Sequence, residues 1–267
     1  MRAWQTLARH LAHAPAVLVR VDRLEGSGPR EVGAWMAVTP SDLIGTIGGG
    51  QLEFDAMVRG REALAAGRVL EPVQRMALGP SLGQCCGGVV WLSFEWLDAS
   101  AIAGLAERLS GQQGWRAVAL FGGGHVGRAI VQLLAGLPVR VHWIDSREGQ
   151  FPDMLPDNIR AEQSEPVHGA VDTLEPGSRV LIMSFSHAED LDILAACLRR
   201  QRAVGDLASL GLIGSKSKWA TFRHRLQARG FTEAELARVV CPIGLPGIHG
   251  KQPEVVALAV VAQLMQD

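Results

Sequence analysis

Gly122, Gly124 and Gly127 stand at the G-x-G-x-x-G spacing, between an apolar run over 117–120 and a helical stretch over 128–137. In such a turn the first glycine makes a tight strand-to-helix bend and the second lets backbone approach a pyrophosphate. The third permits close helix–sheet packing. The N–H groups that open the helix then face the phosphate. Asp145 ends the next apolar run, over 140–144, about 20 residues further on, where a carboxylate accepts ribose hydroxyls. His125, inside the turn, would lie beside bound phosphate as a hydrogen-bond partner or proton carrier. His187 follows a later apolar run and is expected at the same rim. Lys216 and Lys218 come after a Gly-Ser turn and read equally as anion ligands or as the solvated start of a helix. A cation there opposes the helix dipole, which tips the reading toward an anionic ligand.

The first half of the chain has its own candidates. Cys85 and Cys86 lie between Gln84 and the pair Gly87 and Gly88, in a loop where backbone can approach a ligand closely. A thiolate there would be a ligand for a soft metal ion; packing as two small apolar side chains is the plainer alternative. Arg30 follows Pro29 in a glycine-rich loop and offers a fork for phosphate or carboxylate, with a surface salt bridge as the competing account. Glu53, three residues after Gly50, fits a capping role as well as a ligand role. Cys197, among leucines and alanines, belongs to a core, and Cys241, before Pro242, also suits packing.

These residues need elements to carry them. In the first half, a helix is expected over 4–14 and strands over 16–21, 34–38, 43–47, 69–76 and 89–94. A helix over 52–66 follows the glycines at 48–50, and another spans 101–109. This half reads as an antiparallel or mixed sheet with long glycine-rich loops, a smaller α+β N-terminal domain over 1–110. Residues 110–114 are the linker. From 115 to 267 strand and helix alternate: strands over 179–183, 207–213 and 238–241, and helices over 190–200, 216–229 and 251–265. That pattern gives an α/β fold with a C-terminal Rossmann-like parallel-sheet domain.

Composition narrows the function. The 267 residues carry a formal charge of −1, so nothing points to nucleic acid or an anionic membrane surface. The longest apolar stretch near the end, 255–264, is about half of what a bilayer requires. Residues 1–11 lack secretory character, since Arg9 and His10 interrupt the apolar segment. A cytoplasmic protein with reduced thiols is expected, as four cysteines in a chain of this length make no disulfide framework. The apolar C-terminal helix is compatible with a homodimer.

Several motifs together resemble the xanthine dehydrogenase accessory proteins, the XdhC/CoxI-type molybdenum cofactor chaperones. They are Gly26 to Arg30, Gly45 to Glu53, Gln84 to Gly88, Phe121 to Gly127, Trp143 to Arg147, Gly211 to Lys216 and Cys241 to Gly244, covering nearly the whole chain in order. The resemblance implies a carrier of the molybdenum cofactor (molybdopterin). Such a carrier shields the cofactor while a cysteine desulfurase installs the sulfido ligand, then inserts it into apo xanthine dehydrogenase or a related molybdenum hydroxylase. It implies an accessory protein without turnover of its own, and a cofactor-binding set of Arg30, Cys85, Cys86, Gly122, Gly124, His125, Gly127, Asp145, His187 and Lys216. Cys85 and Cys86 would be the molybdenum contacts. One departure stands out: where the family pattern has Thr-His-Ser-His, this chain has Ser184, Phe185, Ser186 and His187, so a role needing paired imidazoles is in doubt. The same glycines and acid could instead serve NAD or FAD, and a nucleotide-dependent oxidoreductase is the alternative from a different class.

Overall fold

The computed structural model describes residues 3–69, 71–78, 87–109 and 115–266. The chain divides into two compact units, Met1–Gly111 and Gln112–Asp267.

The first unit is a five-stranded, wholly antiparallel sheet with helices on both faces. Its strands are β1 (Ala16–Glu25), β2 (Trp35–Val38), β3 (Leu43–Gly45), β4 (Val73–Ala77) and β5 (Val89–Leu97), in the order β3-β2-β1-β5-β4. Alternation along β1 sorts the two cores. Val17, Val19 and Val21 pack with Leu52 and Ala56 of helix α2 (Gly50–Ala66), while Ala16 and Leu18 pack with Leu7 and Leu11 of α1 (Ala3–Leu11). Leu105 and Leu109 of α3 (Leu105–Leu109) join the second core. The helix expected over 101–109 is broken because Gly104 takes φ +87°, leaving a 3-10 turn at Ala99–Ile102 ahead of α3. The strand expected from residue 69 begins only at Val73.

The second unit is a six-stranded parallel sheet. Its strands are β6 (Arg116–Phe121), β7 (Val139–Asp145), β8 (Ile159–Gln163), β9 (Arg179–Ile182), β10 (Ser209–Leu212) and β11 (Val239–Val240), in the order β11-β10-β9-β6-β7-β8. The chain winds outward from β6 to β8, then crosses to β9 on the other side of β6. The strand order therefore reverses between β6 and β9, the doubly wound Rossmann arrangement in which ligands sit at the carboxyl ends of those strands. Helices α4 (His125–Leu134) and α8 (Pro253–Met265) cover one face, burying Ile130, Leu134, Val260 and Leu264 on Leu120, Val141 and Trp143. Helices α5 (His187–Ala203) and α6 (Lys216–Ala228) and a 3-10 helix at Val167–Thr173 cover the other, over Ala119, Phe121, Val180 and Ile182. The short α7 (Glu233–Leu236) precedes β11 and is closed by a Thr232–Glu235 capping box. Strand β8 and α7 are absent from the sequence reading. Among the described residues no helix is long and apolar enough to cross a membrane.

Candidate functional site

The glycine turn sits at the carboxyl end of β6, beside the reversal point. Gly122 takes φ +129°, and a Cβ there would fall 2.0 Å from the carbonyl oxygen of Met183, at the end of β9. A Cβ on Gly127 would fall 2.1 Å from the Gly122 oxygen, so α4 packs directly on the turn. Trp143 Nε1 donates to that same oxygen at 2.9 Å. The first and third glycines thus serve packing, as the spacing requires. Gly124 is exposed, and a Cβ on it would meet nothing within 4 Å.

The amides of the turn are not equally available. Gly122 N–H donates to Ile144 O at 2.7 Å, and Gly123 N–H to Asp145 Oδ2 at 2.5 Å. Both are spent within the protein. The N-cap of α4, Gly124, has no side chain to satisfy the next amides. In α5 and α6, which start at the same end of the sheet, Ser186 and Ser215 accept from Glu189 N and Lys218 N. Arg128 wraps the turn, donating from Nε to Gly123 O at 3.0 Å and from Nη2 to Gln150 O at 2.9 Å. Its side chain has no carboxylate partner among the described residues, so it leaves a net cation on the turn. The sequence reading passed over Arg128, although its place directly after Gly127 was visible.

Asp145 is buried, at 2 % exposure, and its carboxylate is fully engaged. Oδ1 accepts from the backbone N–H and Nε of Arg147, both at 2.9 Å. Oδ2 accepts from Gly123 N–H and from Arg147 Nη2 at 3.0 Å. Burial opposes its ionisation, but the Arg147 fork and the two backbone N–H groups outweigh that and hold its pKa below the usual carboxylate range. Arg147 in turn lies over the ring of Phe185, 4.6 Å from its centroid. Ser146 donates to Glu189 Oε1 at 2.7 Å.

On the β9 side, Asp190 and Lys218 form a buried pair, Nζ to Oδ2 at 2.7 Å, with side chains 3 % and 11 % exposed. Lys218 also donates to Ile213 O at 2.8 Å, and Asp190 Oδ1 accepts from Ser184 N–H and its hydroxyl. Lys218 therefore fastens the ends of β9 and β10, while Lys216 stays exposed at the start of α6. His125 and His187 are exposed first residues of α4 and α5, helices that follow the adjacent strands β6 and β9. His187 meets Phe222 edge-on at 6.2 Å. Cys197 is fully buried, and burial pushes its thiol up to about 12 against the pull of Arg200. Cys241 is half-buried; burial raises its pKa, Lys218 lowers it and Asp190 raises it.

In the first unit three glycine loops converge. A Cβ on Gly88 would lie 2.3 Å from Ser27 O, and one on Gly48 would lie 2.5 Å from Pro29 Cβ. Glu53 closes the middle loop: its Oε2 accepts from the Thr46 hydroxyl, Ile47 N–H and Gly49 N–H. Arg30 forks onto its neighbour Glu31 at 2.9 and 3.2 Å, a surface pair. Cys85 and Cys86 lie outside the described residues. Among those described, no group of histidine, cysteine and carboxylate side chains could hold a metal ion.

Comparison with known proteins agrees with this architecture. A model of the XdhC Rossmann domain matches residues 118–264, and a model of the XdhC and CoxI family matches residues 10–74. The protein YqeB of Escherichia coli K12 is 26 % identical over 257 residues, 95 % of this chain; the chain spans 44 % of that relative's length. A crystal structure from Bacillus halodurans, described as a xanthine dehydrogenase, superposes with a TM-score of 0.75 at 19 % identity, over 100 % of this chain and 95 % of its own. At that identity the likeness is one of fold.

Proposed function

The chain belongs to the XdhC and CoxI family, and from that premise we propose that it is an accessory protein for xanthine dehydrogenase or a related molybdenum hydroxylase, carrying the molybdenum cofactor as cargo. The observation that carries this reading is the phosphate seat at the glycine turn. Two of its amides are committed internally, the following ones at the start of α4 have no side-chain cap, and Arg128 adds a cation unmatched by a carboxylate. That chemistry fits the phosphate of molybdopterin. Gly122, Gly124, Gly127 and His125 would surround it, with Lys216 and His187 on the neighbouring helix starts. In the first unit, the converging glycine loops bring backbone together beside Gly87 and Gly88, which directly follow Cys85 and Cys86. Taken by itself, the first unit offers those thiols as our candidates for molybdenum contacts and Arg30 as a candidate fork for a phosphate or carboxylate. When bound, the cofactor would supply the metal and dithiolene; the chain's own residues bind, orient and shield it.

Asp145 supports a bracing role over a ligand role, since its four acceptor positions are filled. A cysteine desulfurase as sulfur donor, a homodimer and a cytoplasmic setting belong to the same proposal. The test is cofactor retention, read as pterin fluorescence after gel filtration. Arg128→Ala should lower bound pterin severalfold, and Cys85→Ala or Cys86→Ala should lower bound molybdenum with the fold intact. Wild-type retention in all three would overturn the assignment of these residues.

A further inference from the structure

The end of β7 is built differently from a ribose-binding site. In a dinucleotide-binding Rossmann domain an acid at this position takes the two hydroxyls of a ribose, and a nearby arginine accommodates a phosphate ester there instead. Here the acid is closed. An ionised carboxylate has about four acceptor positions, and Arg147 fills three on Asp145 while Gly123 N–H fills the fourth. A diol would have to displace the guanidinium or unseat the glycine turn. Glu189 offers no substitute: one oxygen accepts from Ser146 and the other is buried.

What the strand end does offer is the far edge of Arg147. Nε and one proton of Nη2 face Asp145, so a planar guanidinium directs its remaining N–H groups away from that carboxylate. The side chain is 31 % exposed. Phe185, 64 % exposed, lies against its face and keeps an apolar ring uncovered. Arg128, on the same turn through Gly123 O, adds a second cation, so that the two arginines offset Asp145 and Glu189, the carboxylates that act on Arg147.

We propose that Arg147 and Phe185 set which ligands this crevice accepts: they exclude the free ribose diol of an NAD-type dinucleotide and select a ligand bearing a phosphate monoester at that position. The ring of Phe185 supplies a stacking surface for the planar group next to it. This selection concerns the crevice in which the proposed function seats the cofactor's phosphate, and it is read out separately from cofactor carriage.

The experiment is isothermal titration of the full chain with NAD and NADP, which differ only by that phosphate. The wild type should bind NADP at least about tenfold tighter, the worth of one charge-assisted contact. Arg147→Ala reopens two acceptor positions on Asp145 and removes the phosphate partner, so it should weaken NADP by about tenfold and tighten NAD. Phe185→Ala, at an exposed position, should weaken NADP without tightening NAD, since Arg147 still occupies Asp145. Equal or tighter binding of NAD by the wild type, binding of neither, or an unchanged ratio in folded Arg147→Ala would overturn the proposal. Pterin retention measured on the same preparations separates this outcome from failure of the carrier reading.

Discussion

The Asp190–Lys218 pair holds the floor of the site, and breaking it should show as stability lost from the second unit. Asp190 is 3 % and Lys218 11 % exposed, and between them they fix Ser184, after β9, and Ile213, after β10. Lys218→Met leaves a buried carboxylate with Ser184 as its only donor among the described residues. Removing one partner of a buried pair typically costs about 3–5 kcal/mol. Against a domain stability on the order of 5–15 kcal/mol, that brings the second unit close to its threshold. Asp190→Asn alone strands the ammonium and should cost a similar amount. The double variant should cost less than Lys218→Met, because asparagine still accepts from Ser184 and no buried charge remains. The cycle should therefore be non-additive by about 2 kcal/mol or more. Urea unfolding read by pulsed alkylation of Cys197 reports this unit by itself, since that thiol is fully buried in α5. Single-variant losses under about 1 kcal/mol, or additivity within about 0.5 kcal/mol, would refute the reasoning.

Gly127→Ala drives a methyl into Gly122 O and should cost about 1–3 kcal/mol in urea unfolding. Gly136→Ala, where a Cβ meets nothing within 4 Å, should be neutral or mildly stabilising; equal losses in the two would contradict the packing argument. In native protein, alkylation mapped by mass spectrometry should find Cys241 slow and Cys197 inert, and rapid labelling of Cys197 would contradict its burial. His142 is held below its ordinary pKa by burial and then by Arg160, against the pull of Glu162. The folded state therefore binds fewer protons, and this contribution is complete above about pH 6.5 and lost as pH falls below it. Stability should decline from about pH 6.5 downward, and His142→Gln should flatten that slope; an unchanged slope would place its source elsewhere.

Local pattern made much of this fold legible. The strands β6, β7 and β9 read as apolar runs, and the glycine spacing located the strand-to-helix turn after β6. Strand β8 escaped because it is an edge strand: of its five residues only Ile159 is buried, and Arg160 and Glu162 face His142 across the pairing. Residue type alone could not separate the two lysines after Gly214. Lys218 is fixed by Asp190, 28 positions away, while Lys216 is exposed. Asp145 was legible as an acid at a strand end, but not as an acid already filled by Arg147, whose fork depends on the turn two residues later. Phe185 registered as a departure from a pattern, and its use emerges only once Arg147 lies over it.

The central claim is carriage of the molybdenum cofactor, and equilibrium dialysis of the purified chain against that cofactor, with NAD and FAD in parallel, tests it most directly. Pterin read by fluorescence after oxidation, and metal by mass spectrometry, should approach one equivalent per chain, with neither NAD nor FAD retained at that level. Stoichiometric NAD or FAD with no pterin would contradict the account and assign the glycine turn to a redox nucleotide.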